Sequence, residues 1–238
     1  MQSALDPAQQ ALAARRLPGM QPVQGGWITV DDAYAAQIAT KRDLLQTRRA
    51  AVLAVLPRAQ DACAEMLEVT AKDLSQLPGF TVNDDAVTCP DGRSVTRDST
   101  DPLLTLAQLL QEDICILQKH GGSYVLTAAL LCFPASWTLA EKIGKPLGLI
   151  HAPVPGFGAE MTARVTRLFD HLRPGQPLWR ANLLAYEDPD LFQPRTEAET
   201  RPVGDGQSRY LRSERQTLLR LPVSDAVAFT IHTTVTRR

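Results

Sequence analysis

His151 lies in the most conformationally restricted stretch of the chain and is the first candidate for chemistry. The residues that follow, 152–155, read Ala-Pro-Val-Pro, and because proline fixes its own φ and restricts its predecessor, we expect them to be extended and stiff. Gly156 and Gly158 then allow a sharp turn or a close backbone approach to a bulky group. A neutral imidazole fixed in this way can bind a metal or haem iron. The alternative is a half-buried histidine that hydrogen-bonds a backbone carbonyl.

A second candidate is a strand with polar residues on both faces. Side chains of a strand alternate, which places Arg212, Glu214 and Gln216 on one face and Ser213, Arg215 and Thr217 on the other. If Glu214 is buried, its carboxylate needs a cationic partner, which would be Arg212, Arg215 or a bound ammonium ligand. The alternative is that either face is exposed to solvent.

Composition restricts the class of protein. A chain of 238 residues with 44% hydrophobic and 21% charged residues is expected to fold as a soluble globule. Its net charge of −1 gives no reason to propose a nucleic acid or an acidic membrane as a partner. We find no signal peptide and no membrane span, and we therefore expect a cytoplasmic protein. The cysteines lack C-x-x-C spacing, which argues against a zinc ribbon or a self-contained iron–sulfur site: Cys63, Cys89, Cys115 and Cys132.

The elements that must position these residues predict an α+β fold. Residues 1–26 are interpreted as a loosely ordered arm and 27–238 as a single domain that begins with a helical hairpin. Within the hairpin, a helix capped by Asp31 or Asp32 is predicted to run as far as Leu56. A further helix is predicted from Asp101 to Leu117, with residues 111–113 on its solvated face.

The second half of the chain is predicted to supply most of the sheet. A short helix is expected after Ser136 and a longer one from Glu160, with His171 near its C-terminal end as a capping residue. Residues 186–206 form a long polar loop, which suggests a lid, a partner-binding segment or disorder. The strands are predicted at 80–82, 86–88, 124–133, 176–185, 210–221 and 226–235, and they indicate an antiparallel sheet flanked by helices.

Motifs of the common enzyme classes are missing from the sequence. There is no G-x-S-x-G, no Walker loop, no H-E-x-x-H and no G-x-G-x-x-G. Serine hydrolase, kinase and zinc hydrolase activities are therefore excluded as working hypotheses. From the residues alone, an enzyme and a ligand-binding module remain open.

Six blocks of the sequence, in order, resemble a known family. They are Leu110-Gln-Glu-Asp-Ile-Cys-Ile-Leu117, Cys132-Phe-Pro-Ala-Ser-Trp137, Glu141-Lys-Ile-Gly-Lys-Pro146, Ile150-His-Ala-Pro-Val-Pro155, Trp179-Arg-Ala-Asn182 and Ser213-Glu-Arg-Gln-Thr-Leu218. Together they are similar to the haem-dependent oxidative N-demethylase alpha-subunit family. The resemblance extends over roughly 27–235.

This resemblance implies a PAS-type fold that holds haem b. It implies NADPH- and O2-dependent demethylation of dimethylamine to methylamine and formaldehyde, with electrons supplied through FMN and a 2Fe–2S centre on partner reductase subunits. His151 then resembles the proximal haem ligand, and Glu214 a residue that could hold a secondary ammonium. Arg212 or Arg215 could stabilise negative charge on oxygen or pair with a haem propionate. The remaining cofactor-binding candidates are Lys142, Lys145 and Asn182.

The sequence departs from the family pattern at two places, and both argue against carrying the family's substrate over to this chain. The stretch before Trp27 is not a close match, and His232-Thr-Thr234 stands where a more basic and aromatic ending is expected. A second hypothesis is therefore a non-catalytic haem-binding PAS module that senses gas or stores haem, and a third is a haem-free scaffold subunit.

Overall fold

The computed structural model describes residues 1–14, 19–153, 156–199 and 207–238. Helices are α1 (Pro7–Ala13), α2 (Tyr34–Thr47), α3 (Arg49–Val52), α4 (Gln60–Leu74), α5 (Pro102–Leu109), α6 (Leu147–Ile150) and α7 (Ala159–Asp170), with a 3-10 turn at Pro57–Ala59. Strands are β1 (Gln21–Pro22), β2 (Leu53–Val55), β3 (Thr81–Val82), β4 (Ala86–Thr88), β5 (Ser94–Thr96), β6 (Asp113–His120), β7 (Ser123–Leu130), β8 (Leu178–Tyr186), β9 (Tyr210–Arg220) and β10 (Val227–Arg237). Val154, Pro155 and the part of the predicted long loop at 200–206 lie outside the described residues.

An antiparallel sheet in the order β1-β8-β9-β10-β6-β7-β2 is the centre of the described structure. This confirms the predicted α+β class. Strands β3, β4 and β5 form a separate small sheet, of which the β3–β4 hairpin was predicted and β5 was not. The predicted strands near 124–133, 176–185, 210–221 and 226–235 are confirmed, with small shifts of their ends.

The two faces of the large sheet carry different layers. One face packs Ile114, Ile116 and Ala228 against the buried residues of α2, α4 and α5. The opposite face, which we call the site face, packs Leu218 and its neighbours against α6, the end of α7 and the segment around Leu139. Because side chains alternate along β8 and β9, Arg180, Asn182, Arg212, Glu214 and Gln216 belong to the site face.

The predicted helix from Asp101 to Leu117 is wrong in its second half. The N-cap is as expected, since the Asp101 carboxylate accepts a hydrogen bond from the Leu104 N–H, but the helix ends at Leu109. Leu110 is extended, and the chain enters β6, which hydrogen-bonds to β7 and β10. Apolar residues at spacings of three and four also fit a strand buried on both faces, so pairing on both sides decides the structure. The predicted solvated face at 111–113 is buried instead.

Three other predictions are corrected. The helix expected to reach Leu56 ends earlier, because residues 53–55 pair with β7 as an edge strand. Gly121 and Gly122 form the hairpin turn between β6 and β7 rather than a helix cap, and both have positive φ, as a two-residue hairpin turn often requires. The short helix expected between Ser136 and Gly144 is absent, since these described residues form turns, and α6 follows Pro146 as a helix that was not predicted.

The described part of the expected loose arm is packed. Helix α1 lies against β8, and β1 pairs with the edge of β8. Gln2 is buried, where its side-chain amide donates to the Thr233 carbonyl and accepts from the Val235 N–H. These hydrogen bonds tie the beginning of the chain to its last strand. Along the described residues, no helix is long and apolar enough to cross a membrane.

A fully buried ion pair connects α2 to β6. Lys41 Nζ lies 3.0 Å from Asp113 Oδ1 and donates to the Glu112 carbonyl at 2.5 Å, while Asp113 Oδ2 accepts from the Phe133 N–H at 2.6 Å. Both side chains are essentially inaccessible to solvent. Each charge therefore depends on the other, because removing either partner leaves an uncompensated charge in the interior.

We expect Lys41→Met to lower the free energy of unfolding by about 3–5 kcal/mol, because Asp113 would remain buried without its cation. Urea unfolding followed by circular dichroism measures this change. Lys119→Met is the matched control, since Lys119 pairs with Asp170 at the solvent-exposed surface and its removal should lower the free energy of unfolding far less. Equal losses in the two variants would contradict the assignment.

A second buried charge lies where β10 meets the N-terminal segment. His232 Nε2 is 3.0 Å from Asp31 Oδ2, and its Nδ1 is 3.4 Å from Glu112 Oε1. Burial acts to lower the pKa of His232, but the hydrogen bonds and charges of the two carboxylates outweigh it and raise that pKa to about 9. Burial acts to raise the pKa of Asp31, but His232, Gln111 and Gln2 lower it to about 2.

His232 and Asp31 together predict that the free energy of unfolding is greatest at intermediate pH and falls at both acidic and alkaline pH. A histidine whose folded pKa is about 9 stabilises fully below its unfolded value near 6.5, and the contribution of roughly 2–3 kcal/mol is lost as pH rises through 9. The contribution of Asp31 is present above about pH 4 and is lost as pH falls toward 2.

We expect the wild-type free energy of unfolding, measured by denaturation at pH 6.5 and pH 9.5, to be smaller at pH 9.5. His232→Gln should remove this difference between the two pH values. An unchanged slope in this variant would exclude His232 as the group responsible.

Candidate functional site

His151 is fixed on the site face by local structure. It is the residue after α6, whose Leu147 and Ile150 pack in the same apolar cluster as Leu178 and Leu218 of the sheet. The ring Nδ1 lies 3.0 Å from the Leu147 carbonyl oxygen, so Nδ1 must carry the proton and donate it. The ring is also stacked on Phe157, with centroids 4.2 Å apart and an angle of 16° between the planes. Ring orientation and tautomer are therefore both set.

This tautomer leaves the other ring nitrogen as an acceptor. Nε2 of His151 has no hydrogen-bond partner among the described residues and is not sealed from solvent. Burial lowers the pKa of His151, and the positive charges of Arg180 and Lys142 lower it further, against the opposing effect of the Leu147 carbonyl. The imidazole is therefore neutral at pH 7, with a lone pair available on Nε2. A histidine held through its Nδ1 proton is the usual arrangement of a metal-binding imidazole.

Four polar side chains form a hydrogen-bonded row across β8 and β9. Arg180 Nε donates to Gln216 Oε1 at 2.7 Å, and Gln216 Nε2 donates to Glu214 Oε2 at 2.9 Å. Asn182 Nδ2 donates to the same carboxylate oxygen at 3.0 Å. The strand register places these residues opposite one another, as the pairs Arg180–Gln216 and Asn182–Glu214. Since Arg180 also repels a proton from His151, the row and the imidazole share one region of the site face.

Arg180 presents its guanidinium at the surface of the site face. Its side chain is exposed to solvent, while burial by surrounding protein lowers its pKa and the charge of Glu214 opposes that change. Among the described residues no carboxylate forms an ion pair with it within 4 Å, and its Nε donates to the neutral Gln216 amide instead.

The guanidinium of Arg212 is held by hydrogen bonds to backbone carbonyls. Its side chain is 2% exposed, its Nη2 donates to the Phe133 carbonyl at 2.7 Å, and its Nη1 donates to the Leu191 carbonyl at 3.1 Å. Nε lies 3.9 Å from Glu214 Oε1, beyond hydrogen-bonding distance. Arg212 therefore connects the loop at 131–137 and the loop at 187–193 to the beginning of β9, and it places a positive charge beside Glu214.

The described part of the long loop is a strap over the site. Gln193 exchanges backbone hydrogen bonds with Pro134 and Ser136, at 3.2 and 3.1 Å. Further along, Glu197 Oε1 accepts from Lys142 Nζ at 2.6 Å. The same ammonium donates to the carbonyl of Ile150, the residue before His151, at 2.8 Å. We call residues 187–199 the strap, and its contacts end one residue from the candidate ligand.

Helix α7 presents an apolar surface that the described protein covers only in part. Met161, Val165 and Leu168 repeat at spacings of four and three on one side of the helix. Yet Phe169 is the only residue of α7 that is buried, and Met161 is 37% exposed. A helix this strongly amphipathic normally covers its stripe with another element. Val165 and Leu168 pack only partly against the apolar cluster that holds α6, and Met161 remains at the surface, so the stripe of α7 is incompletely covered.

The structure divides the sequence-predicted site residues into two groups. It brings His151, Lys142, Asn182, Arg212 and Glu214 to the site face, with Lys145 at its margin. Lys145 is 40% exposed and lies 3.7 Å from Glu197. Lys142 is already occupied by Glu197 and Ile150, as described above.

Arg215 is on the opposite face, as the alternation predicted. It donates to the carbonyls of Gly26 and Trp27 and to the hydroxyl of Thr29, and its guanidinium lies over the Trp179 ring. It therefore anchors the segment at 26–29 and lines a separate cavity of about 640 Å³. The structure does not bring Arg215 to His151.

Sequence reasoning missed Arg180 and overlooked the role of Gln216. The signal was present, because Arg180 and Asn182 are two residues apart in a predicted strand and must share a face. What the sequence did not contain was the register of β8 against β9, which places Arg180 opposite Gln216. Without that register, two alternating strands cannot be combined into one site.

We expect Arg212→Lys to loosen the strap, because lysine keeps the charge but not the planar fork that reaches two loops. Losing these hydrogen bonds should cost about 2–4 kcal/mol of stability and open the segment at 187–199 to protease. Limited trypsin digestion, with the cut at Arg195 identified by mass spectrometry, measures the opening. Arg209→Lys is the control, since Arg209 is an exposed residue just before the same strand. Identical digestion patterns would show that Arg212 does not hold the strap.

A family model described as "Haem-dependent oxidative N-demethylase, alpha subunit-like" matches residues 19–237. The match covers nearly the whole chain, including the strands, α6 and α7 that build the site face.

Proposed function

We propose that this chain, which belongs to the haem-dependent oxidative N-demethylase alpha-subunit-like family, binds haem b through His151 and demethylates a small secondary amine such as dimethylamine. Overall, dimethylamine, O2, two electrons and two protons would give methylamine, formaldehyde and water. The observation that carries the proposal is the state of His151: neutral, fixed through Nδ1, and with Nε2 open. A PAS-type haem fold is the finer structural proposal that accompanies it.

The residues on the site face fit a haem. A porphyrin is flat and apolar with two anionic propionates, so it needs an apolar slot, an axial ligand and cations at one edge. The half-covered stripe of α7 supplies the first and His151 the second. Arg180 forms no ion pair within 4 Å among the described residues and is the cation that we propose for a propionate. Lys142 and Lys145 could take this role only by giving up or sharing Glu197.

When bound, haem would supply the one-electron and oxygen chemistry that no side chain here provides. The contribution of this chain is to hold the amine. Glu214 is a buried carboxylate with one oxygen saturated by two amides, and its second oxygen could accept a hydrogen bond from a secondary ammonium. Arg212, 3.9 Å away, would limit how much additional positive charge the site tolerates.

Partner subunits would supply the electrons. The family description names an alpha subunit, which implies an assembly with further subunits. We propose that reductase subunits carrying FMN and a 2Fe–2S centre pass NADPH-derived electrons to this chain. A non-catalytic haem sensor or store is the competing function, and turnover separates the two.

We expect purified protein mixed with haem to show a Soret band that His151→Gly loses and that added imidazole restores, because imidazole can occupy the space of the deleted side chain. His171→Ala is the matched control, since this exposed histidine caps α7 and should leave the spectrum unchanged. Absorption spectroscopy of the four preparations is the measurement. A wild-type band that survives in His151→Gly would assign the ligand to another residue.

Formaldehyde release then distinguishes enzyme from sensor. The haem-loaded protein, given dimethylamine, O2, NADPH and a flavin and 2Fe–2S reductase, should form formaldehyde over many turnovers. A protein that binds haem and small ligands but never consumes the amine would support the sensing or storage function instead.

A further inference from the structure

The two carboxylate oxygens of Glu214 have different surroundings. Oε2 accepts two hydrogen bonds, from Asn182 Nδ2 at 3.0 Å and from Gln216 Nε2 at 2.9 Å. Oε1 has no hydrogen-bond donor among the described residues, and it is not sealed from solvent. One oxygen is therefore used by the protein, while the other is left for a ligand.

The side-chain amides of Asn182 and Gln216 each fit their hydrogen bonds in only one of the two flip states. The Asn182 oxygen accepts the backbone N–H of Glu214 at 2.9 Å, and the Gln216 oxygen accepts Nε–H of Arg180 at 2.7 Å. Both of these donors lack any acceptor function. A flipped amide would place its NH2 against a donor and its oxygen against the carboxylate. The NH2 groups must therefore point at Oε2, and the direction of Glu214 is fixed by the protein before any ligand arrives.

We infer that Gln216, together with Asn182, is a positioning residue that aims Glu214 Oε1 at the N–H of a protonated amine. This inference rests on the proposed function and makes the substrate class narrower. A single oriented acceptor favours ammonium groups that carry at least one N–H, and it disfavours quaternary ammonium groups, which can offer only charge. Because the Gln216 oxygen accepts from Arg180, the same hydrogen bond that fixes the Gln216 amide also connects it to this cation.

The test compares two cations by calorimetric titration of the haem-loaded protein: dimethylammonium, which has N–H groups, and tetramethylammonium, which has none. We expect wild type to prefer dimethylammonium by about tenfold or more, the value of a hydrogen bond to a charged group. Gln216→Met keeps the length of the side chain but removes both polar atoms, and we expect most of this preference to be lost. The preference is compared only between preparations with equal haem content, because Gln216 also accepts a hydrogen bond from Arg180.

Thr217→Val is the matched control, since Thr217 is the next residue on β9 and faces the opposite side of the sheet. It should keep the wild-type preference. Asn182→Leu removes the other amide from the same oxygen and should act in the same direction as Gln216→Met, which gives a second variant if the first does not load haem.

The possible outcomes distinguish a failure of the inference from a failure of the proposed function. If wild type prefers dimethylammonium and both amide variants keep that preference, the positioning role is overturned while the proposed function stands. If wild type loads haem but shows no preference between the cations, the proposed amine site fails, and the inference fails with it.

Discussion

The burial of a guanidinium is the constraint on which the site depends. Arg212 cannot be taken out of water unless its hydrogens find acceptors, and the acceptors that it finds are carbonyls of two loops distant in sequence. Satisfying one charge therefore fixes the segment before Trp137 and the strap together against β9. These two segments form the margin of the site face beside α6. Stability and site geometry consequently come from the same hydrogen bonds.

Charge balance on the site face follows from this arrangement. Arg180 and Arg212 bring two positive charges near one carboxylate, Glu214, while Lys142 is neutralised by Glu197. Without further groups the region has an excess of positive charge, which favours an anionic group and opposes a further cation. If haem binds as proposed, its propionates would offset that excess and an ammonium would bind more readily, so that cofactor and amine binding would be cooperative.

Sequence reasoning reached the fold class and selected several residues that the structure brings to one face of the sheet, and it failed where long-range pairing overrides local pattern. Alternation correctly separated Arg212 and Glu214 from Arg215, because strand geometry is local. The stretch at 110–117 was assigned to a helix, since its apolar spacing fits both structures and only pairing with β7 and β10 decides. The burial of Glu112 and Asp113 followed from the same pairing, together with a lysine about seventy residues earlier. The Arg180–Gln216 contact needed the register of two strands, which no single strand contains.

The half-covered stripe of α7 has a consequence for how such a protein is made in a cell. Met161 is exposed and Val165 and Leu168 are only partly buried, and an incompletely covered apolar surface is one that chaperones bind and on which unfinished chains associate. If haem completes that layer, it acts as a ligand of the native state alone and adds to stability in proportion to the logarithm of its free concentration. Haem supply would then set the amount of protein that survives quality control, so that abundance follows the availability of iron as well as the rate of synthesis.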